Sequence, residues 1–168
     1  MRTCLLRAGM LALGVLLGGC AVFTIDQRAS EGPTAEDVWK ERFKLINGRS
    51  PTFADTSGFQ EELDERVREF LRRNPEVANS YRVGNLRLFR RVIVGMTKEE
   101  VRLLLGTPQD VTDDAARMEA LARRWWPTVK PNAKEAWTYP AGWTLYFDGN
   151  TLADMTRYHR AFLHPDTH

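Results

Sequence analysis

The run Gly95-Met96-Thr97-Lys98-Glu99-Glu100-Val101 decides how this chain is read. Thr97 stands three residues before Glu100, so its hydroxyl can accept from the backbone N–H of Glu100 while the Glu100 carboxylate reaches back to the N–H of Thr97, a reciprocal arrangement that specifies a helix start. Val101, Leu104 and Leu105 then supply a buried face, Gly106 offers a left-handed cap, and Pro108 prevents continuation. Further on, Ala136-Trp137-Thr138-Tyr139 and Trp143-Thr144-Leu145-Tyr146-Phe147 are aromatic and β-branched runs separated by Pro140-Ala141-Gly142, which predicts a hairpin. Asp148-Gly149-Asn150 predicts the next turn, and Thr151 to Tyr158, with Leu152 and Met155 as core contacts, completes a three-stranded antiparallel meander.

In this order, the segments from Gly95 to Met155 resemble the small outer-membrane lipoproteins of the BamE (SmpA/OmlA) family, whose pattern is Gly-Met-Thr, a helix with Glu-Val, Leu-Gly-x-Pro, Trp-x-Tyr and a strand ending near Phe-Asp-Gly. The resemblance implies an α+β fold in which two helices pack on one face of a three-stranded antiparallel sheet. It also implies an accessory role in outer-membrane protein assembly and envelope integrity. The matched residues are mostly scaffold: Gly95, Thr97, Gly106 and Pro108 shape turns, while Val101, Leu105, Trp137, Tyr139 and Phe147 fill the core. Matching them therefore locates no partner surface.

Toward the N-terminus, Thr34 stands three residues before Asp37 and ahead of Val38, Trp39, Phe43, Leu45 and Ile46, ending at Asn47-Gly48, which predicts a short capped helix. Ser57 can cap a second helix whose apolar stripe is Phe59, Leu63, Val67, Phe70 and Leu71 and which stops near Asn74-Pro75. Glu61, Glu62, Asp64 and Glu65 then fall in its first turn and Arg72 and Arg73 at its end, an order that complements the helix dipole. A third helical stretch is expected from Pro75 to Arg91, against the grain of Gly84. Arg82, Arg87, Arg90 and Arg91 read either as solvated arginines paired with the acidic helix or as a patch for anionic lipid or glycan. Residues 34–81 thus form a helical extension ahead of an α+β domain at 82–160.

Between the cap region and the strands, Thr112 to Asn132 reads as an inserted amphipathic helix carrying Met118, Leu121, Trp125 and Trp126. Adjacent tryptophans point in different directions on a helix, so Trp125 and Trp126 either pack in a core or leave one ring exposed as a partner contact.

The start of the chain carries a different signal. Arg2 and Arg7 precede an apolar run from Ala8 to Leu17 that reaches Leu17-Gly18-Gly19-Cys20, which resembles a bacterial lipoprotein signal peptide. The run is interrupted by Gly9 and Gly14 and is shorter than the roughly 20 residues a spanning helix needs. The resemblance implies removal of residues 1–19 and a diacylglycerol thioether on Cys20, with a further acyl chain on its amino group. Two chains suffice for stable anchoring. Ala21, where lipoproteins kept on the inner membrane typically carry aspartate, points to the periplasmic side of the outer membrane. Residues 20–33, polar and holding Ser30, Gly32 and Pro33, read as a tether, and 161–168 as a tail.

Cleavage leaves 168 − 19 = 149 residues, enough for one compact domain. It also removes two of the 24 basic residues and none of the 22 acidic ones, so the mature formal charge is 22 − 22 = 0. A neutral chain lacks the basic footprint of a nucleic-acid binder. Cys4 leaves with the signal and Cys20 becomes a thioether, which excludes disulfides, thiol catalysis and cysteine-ligated zinc. His159, His164 and His168 crowd the last ten residues without a shared rigid face, and no Gly-x-Ser-x-Gly, phosphate loop or His-Glu-x-x-His run exists. Asp113, Asp114 and Glu119 matter as acids only if a cleft gathers them. The expectation is a non-catalytic envelope adaptor without cofactor or metal, held on the membrane through Cys20 and bound to an envelope protein such as the outer-membrane assembly machinery. The alternative is a peptidoglycan- or lipid-surface-binding module, with an envelope enzyme third.

Overall fold

A computed structural model describes residues 22–162, so Cys20, the signal segment and residues 163–168 lie outside the described residues. The fold is α+β. Helix α1 (Ala35–Asn47) starts where Thr34 accepts from the Asp37 N–H at 3.1 Å and stops at Gly48, whose φ of 66° is the left-handed conformation expected there. Helix α2 (Phe53–Arg73) begins earlier than Ser57 suggests. Thr52 and Asp55 form a complete capping box, with Thr52 N–H donating to the Asp55 carboxylate at 2.8 Å, and two satisfied orphan groups outweigh a lone serine. The acidic run therefore sits mid-helix, where Asp64, Glu65 and Glu69 each face an arginine. Trp39 stacks on Phe59 at 4.6 Å and locks the two helices together.

The expected third helix is broken. Only α3 (Pro75–Ala78) and a π-helical turn (Asn85–Phe89) form, and Arg90 at φ 47° turns the chain into β3 (Arg91–Ile93). Asn79 and Ser80 donate from their side chains to the carbonyls of Pro75 and Val77, a local alternative that ends the helix before Gly84. Helix α4 (Lys98–Leu105) carries the Thr97/Glu100 box in full. Gly106 caps it at φ 72°, ψ −160°, which is not the helix-like left-handed cap but a region essentially reserved for glycine. A Cβ there would lie 2.8 Å from the Arg42 guanidinium, which donates to the carbonyls of Leu105 and Thr107 and ties α1 to the end of α4.

The sheet differs from the three-stranded meander. The strands β5 (Glu135–Tyr139), β6 (Trp143–Asp148) and β7 (Thr151–Phe162) form as the turn residues predict, but β4 (Asp110–Thr112) adds to β5, and β1 (Val22–Ala29) adds to β7. The result is a five-stranded antiparallel sheet, β1-β7-β6-β5-β4, beside a two-stranded sheet of β2 (Glu31–Thr34) and β3. The expected tether from 20 to 33 is thus mostly strand. Its polarity is misleading because β1 is an edge: Arg28 pairs with the nearly buried Asp154 at 2.9 Å, and a backbone ladder needs no apolar stripe. Gly32 is a packing glycine, since a Cβ there would stand 2.7 Å from Met155 Sδ.

Helices also cover both faces of the sheet, not one. On one face Trp137, Tyr139, Leu145 and Phe147 meet Val38 of α1, Leu63 and Val67 of α2, and Val101 and Leu105 of α4. On the other, Ala136 and Tyr146 meet the segment predicted as an insertion, which forms α5 (Ala115–Ala122) and α6 (Trp126–Val129) and contributes Met118, Ala122, Trp126 and Val129. Period-2 alternation puts Trp137 and Ala136 on opposite faces, and both are apolar, so neither face of β5 can be left to water. The helices of the 34–81 extension share the first of these cores with α4.

Candidate functional site

Trp125 and Trp126 part company. Trp126 is buried in the core beneath the insertion, which corrects its reading as a possible partner contact. Trp125 is half-buried at the rim, under the Arg124 guanidinium at 4.7 Å from its ring. Arg124 also pairs with Asp26 at 3.2 Å, so this corner is engaged in holding β1.

The arginine stretch divides in the same way. Arg82 donates to the fully buried Glu100 at 3.0 Å, Arg90 to Asp64 at 2.6 Å and Arg91 to Glu31 at 2.8 Å, and Arg87 alone of the four is exposed without an ion pair among the described residues. Only the Arg90 pair joins the acidic helix as the sequence suggests. Glu100 completes the α4 cap with one carboxylate oxygen and takes Arg82 with the other, which clamps the irregular 79–90 segment onto α4.

A cleft of about 340 Å³ lies between α1 and the sheet, with Lys40 and Lys44 on one wall and Trp143 and Arg157 on the other. Its cations are largely answered in place: Lys40 by Glu36, Lys44 by Glu41, Arg91 by Glu31. The hydrogen bond from Lys40 holds the Glu36 carboxyl below the ordinary carboxylate range, and the same contact raises the Lys40 ammonium, so this lysine stays protonated and is no nucleophile. No serine, threonine, cysteine, histidine or tyrosine lines the cleft. Asp113, Asp114 and Glu119 are exposed on the insertion and take no part in the lining of this cleft. Among the described residues no three His, Cys, Asp or Glu side chains gather as a metal site, and no helix is long and apolar enough to cross a membrane. His159 sits on β7, while His164 and His168 lie outside the described residues.

What sequence reasoning missed is a pair of exposed apolar sites. Leu45, Ile46 and Phe53 stand at the tip joining α1 to α2, and Leu88 and Phe89 on the π-helical turn. Leu45 and Ile46 repeat the positions of Val38 and Trp39 two turns later, so the core-facing stripe of α1 continues past the structure it packs on. The nearby Asn47-Gly48 stop was the available signal that the stripe had reached the edge. No family model matches the chain, and no curated protein and no solved structure matches it either.

Proposed function

We propose that the chain is a lipid-anchored protein of the bacterial outer membrane that acts as a non-catalytic adaptor or stability factor beside the outer-membrane protein assembly machinery, as its resemblance to the BamE-like lipoproteins implies. The observation that carries the reading is Leu17-Gly18-Gly19-Cys20, which ends two residues before β1. Lipid on Cys20 would be coupled to the five-stranded sheet through only a few ångströms of chain, since each extended residue spans about 3.5 Å. Such a protein is held close and oriented, which suits a part of a membrane assembly better than a roaming enzyme.

For protein contact we assign Leu88 and Phe89, 78% and 64% exposed, beside Arg87. Apolar side chains rimmed by a guanidinium that has no ion pair among the described residues are the composition of a contact anchor. The rival reading, a surface for anionic lipid or glycan built on the arginine stretch, loses its motive because three of those four arginines are already paired.

Crosslinked capture from intact envelopes tests the proposal, comparing wild type, Cys20→Ser and Leu88→Asp/Phe89→Asp. Recovery of assembly-machinery subunits with wild type and their loss with either variant supports it. Cell-wall fragments in place of protein would instead favour the binding-module reading.

A further inference from the structure

The two exposed apolar sites lie at opposite ends of α1, and only one lies toward the anchor. The chain enters the sheet at Val22, which pairs with Phe162 at the far end of β7. Following β7 back from that end, Tyr158 and His159 pack against Gly142 of the β5–β6 turn, and Arg157 shares a cleft with Ala141 of that turn and with Lys40 and Lys44 of α1. The C-terminal half of α1 therefore runs toward the end of the sheet where Cys20 joins. Beyond Lys44 come Leu45 and Ile46, 71% and 74% exposed, and across the turn Phe53, 89% exposed. The N-terminal end of α1, where the Ala35 N–H donates to the Arg90 carbonyl, lies beside Leu88 and Phe89, about 20 Å away by helix rise.

We propose that Leu45, Ile46 and Phe53 form a membrane-dipping tip that enters the interface of the bilayer holding the lipid on Cys20, so that the domain is fixed at two points and its orientation set. The inference rests on the anchoring of Cys20 put forward above. Single exposed apolar side chains are ordinary on a folded surface, but three gathered at one helix–helix turn make an apolar tip, and the bilayer is the apolar phase beside a lipid-anchored domain. The flanking charges fit the headgroup layer: Lys44 and Arg49 stand on either side of Leu45 and Ile46, with Arg49 stacked 4.8 Å over the Phe43 ring and paired with Asp55 at 2.7 Å, and Lys44 paired with Glu41. These pairs make the rim close to neutral, so apolar insertion dominates over attraction to anionic lipid. With the tip in the interface, Leu88 and Phe89 are turned away from the membrane and left free for protein.

The mature chain offers a clean test, because its one remaining sulfhydryl position, Cys20, is consumed by lipid. A nitroxide placed on Phe53→Cys, with Ile46→Cys as a second tip position and Glu76→Cys as the distant control, reports depth by collision with oxygen or with a water-soluble nickel complex. The lipidated protein, its acylation verified by intact mass, is bound to vesicles of phosphatidylethanolamine and phosphatidylglycerol. The expected result is a severalfold rise in oxygen-to-nickel accessibility at both tip positions and none at Glu76. Tip labels as open to nickel as the Glu76 label, on verified lipidated protein, overturn the proposal. An unmodified mass at Cys20 overturns the anchoring reading and this inference with it, a failure distinct from a wet tip. Equal results in vesicles without phosphatidylglycerol support apolar insertion, whereas a signal confined to anionic vesicles overturns it in favour of charge attraction.

Discussion

The two faces of the sheet were built by different means. The face under α1, α2 and α4 is closed by large aromatic and aliphatic side chains brought from far apart in the chain: Trp137 and Phe147, with ring centroids 4.5 Å apart, meet residues as distant as Val38 and Leu63. The opposite face holds Ala136, Thr144, Tyr146, Thr156 and Asp154, small or polar groups satisfied within the sheet, as where the Tyr146 hydroxyl meets the Thr156 hydroxyl at 3.1 Å. Burial pushes the Tyr146 phenol up to about 12, which keeps its proton available for that bond. Its cover, α5 and α6, comes from the residues immediately before β5. A face closed by distant contacts should fail only with the whole domain, and a face closed by a neighbouring flap should open by itself.

That contrast can be broken or sharpened by mutation. Trp137→Ala, at a position with no solvent exposure, should cost about 3–5 kcal/mol in urea unfolding, through lost burial and a residual cavity. A cost near 1 kcal/mol would mean that the helix face is loosely packed. Glu100→Ala should cost roughly 2–4 kcal/mol, since it removes the α4 cap and strands the Arg82 guanidinium; if Arg82→Ala in that background costs nothing further, the two act as one unit. On the other face, Met118→Ala should cost about 2–3 kcal/mol locally, seen as faster amide exchange in 115–129 with the β5–β7 amides unchanged. Equal acceleration in the strands would erase the distinction between the faces. Thr52→Ala should cost about 1 kcal/mol by loss of the α2 cap.

The smallest expected effect is the response to acid. Arg49 and the Thr52 N–H hold the Asp55 carboxyl well below its ordinary value, Lys40 and then Gln60 lower Glu36, and Glu135, though burial pushes it up, is lowered on balance by Lys98 and Trp137. Groups depressed in the folded state contribute stability above the ordinary carboxylate range and lose it as pH falls through and below about 4. Urea midpoints should therefore be level from about pH 7 to 5 and fall toward pH 3. A midpoint that rises in acid would contradict these pairings.

Where structure follows from neighbouring residues, the sequence was readable. Thr97 and Glu100, Thr34 and Asp37, and Gly48 act within one turn of helix, and the Pro140-Ala141-Gly142 and Asp148-Gly149 turns sit between strands they join directly. What escaped depends on partners far along the chain. β1 mixes apolar and polar residues without a sustained stripe and looks like a linker until Asp154 and the β7 backbone are beside it, 126 residues away at the Arg28 contact. The π-helical turn shares the apolar spacing of a helix, and only the side-chain bonds of Asn79 and Ser80 reveal the break. Of the candidate contacts, the tryptophans drew notice for their type, yet Trp126 fills a core, while Leu45 and Leu88 are exposed because the layers they point to end before them.

The central claim, that this sheet is tied to a membrane through lipid on Cys20, is tested most directly by intact mass of the protein extracted from envelopes. The expected result is a chain that begins at Cys20 and carries two or three acyl chains. A soluble chain with the segment before Cys20 retained, or with that cysteine unmodified, would contradict it.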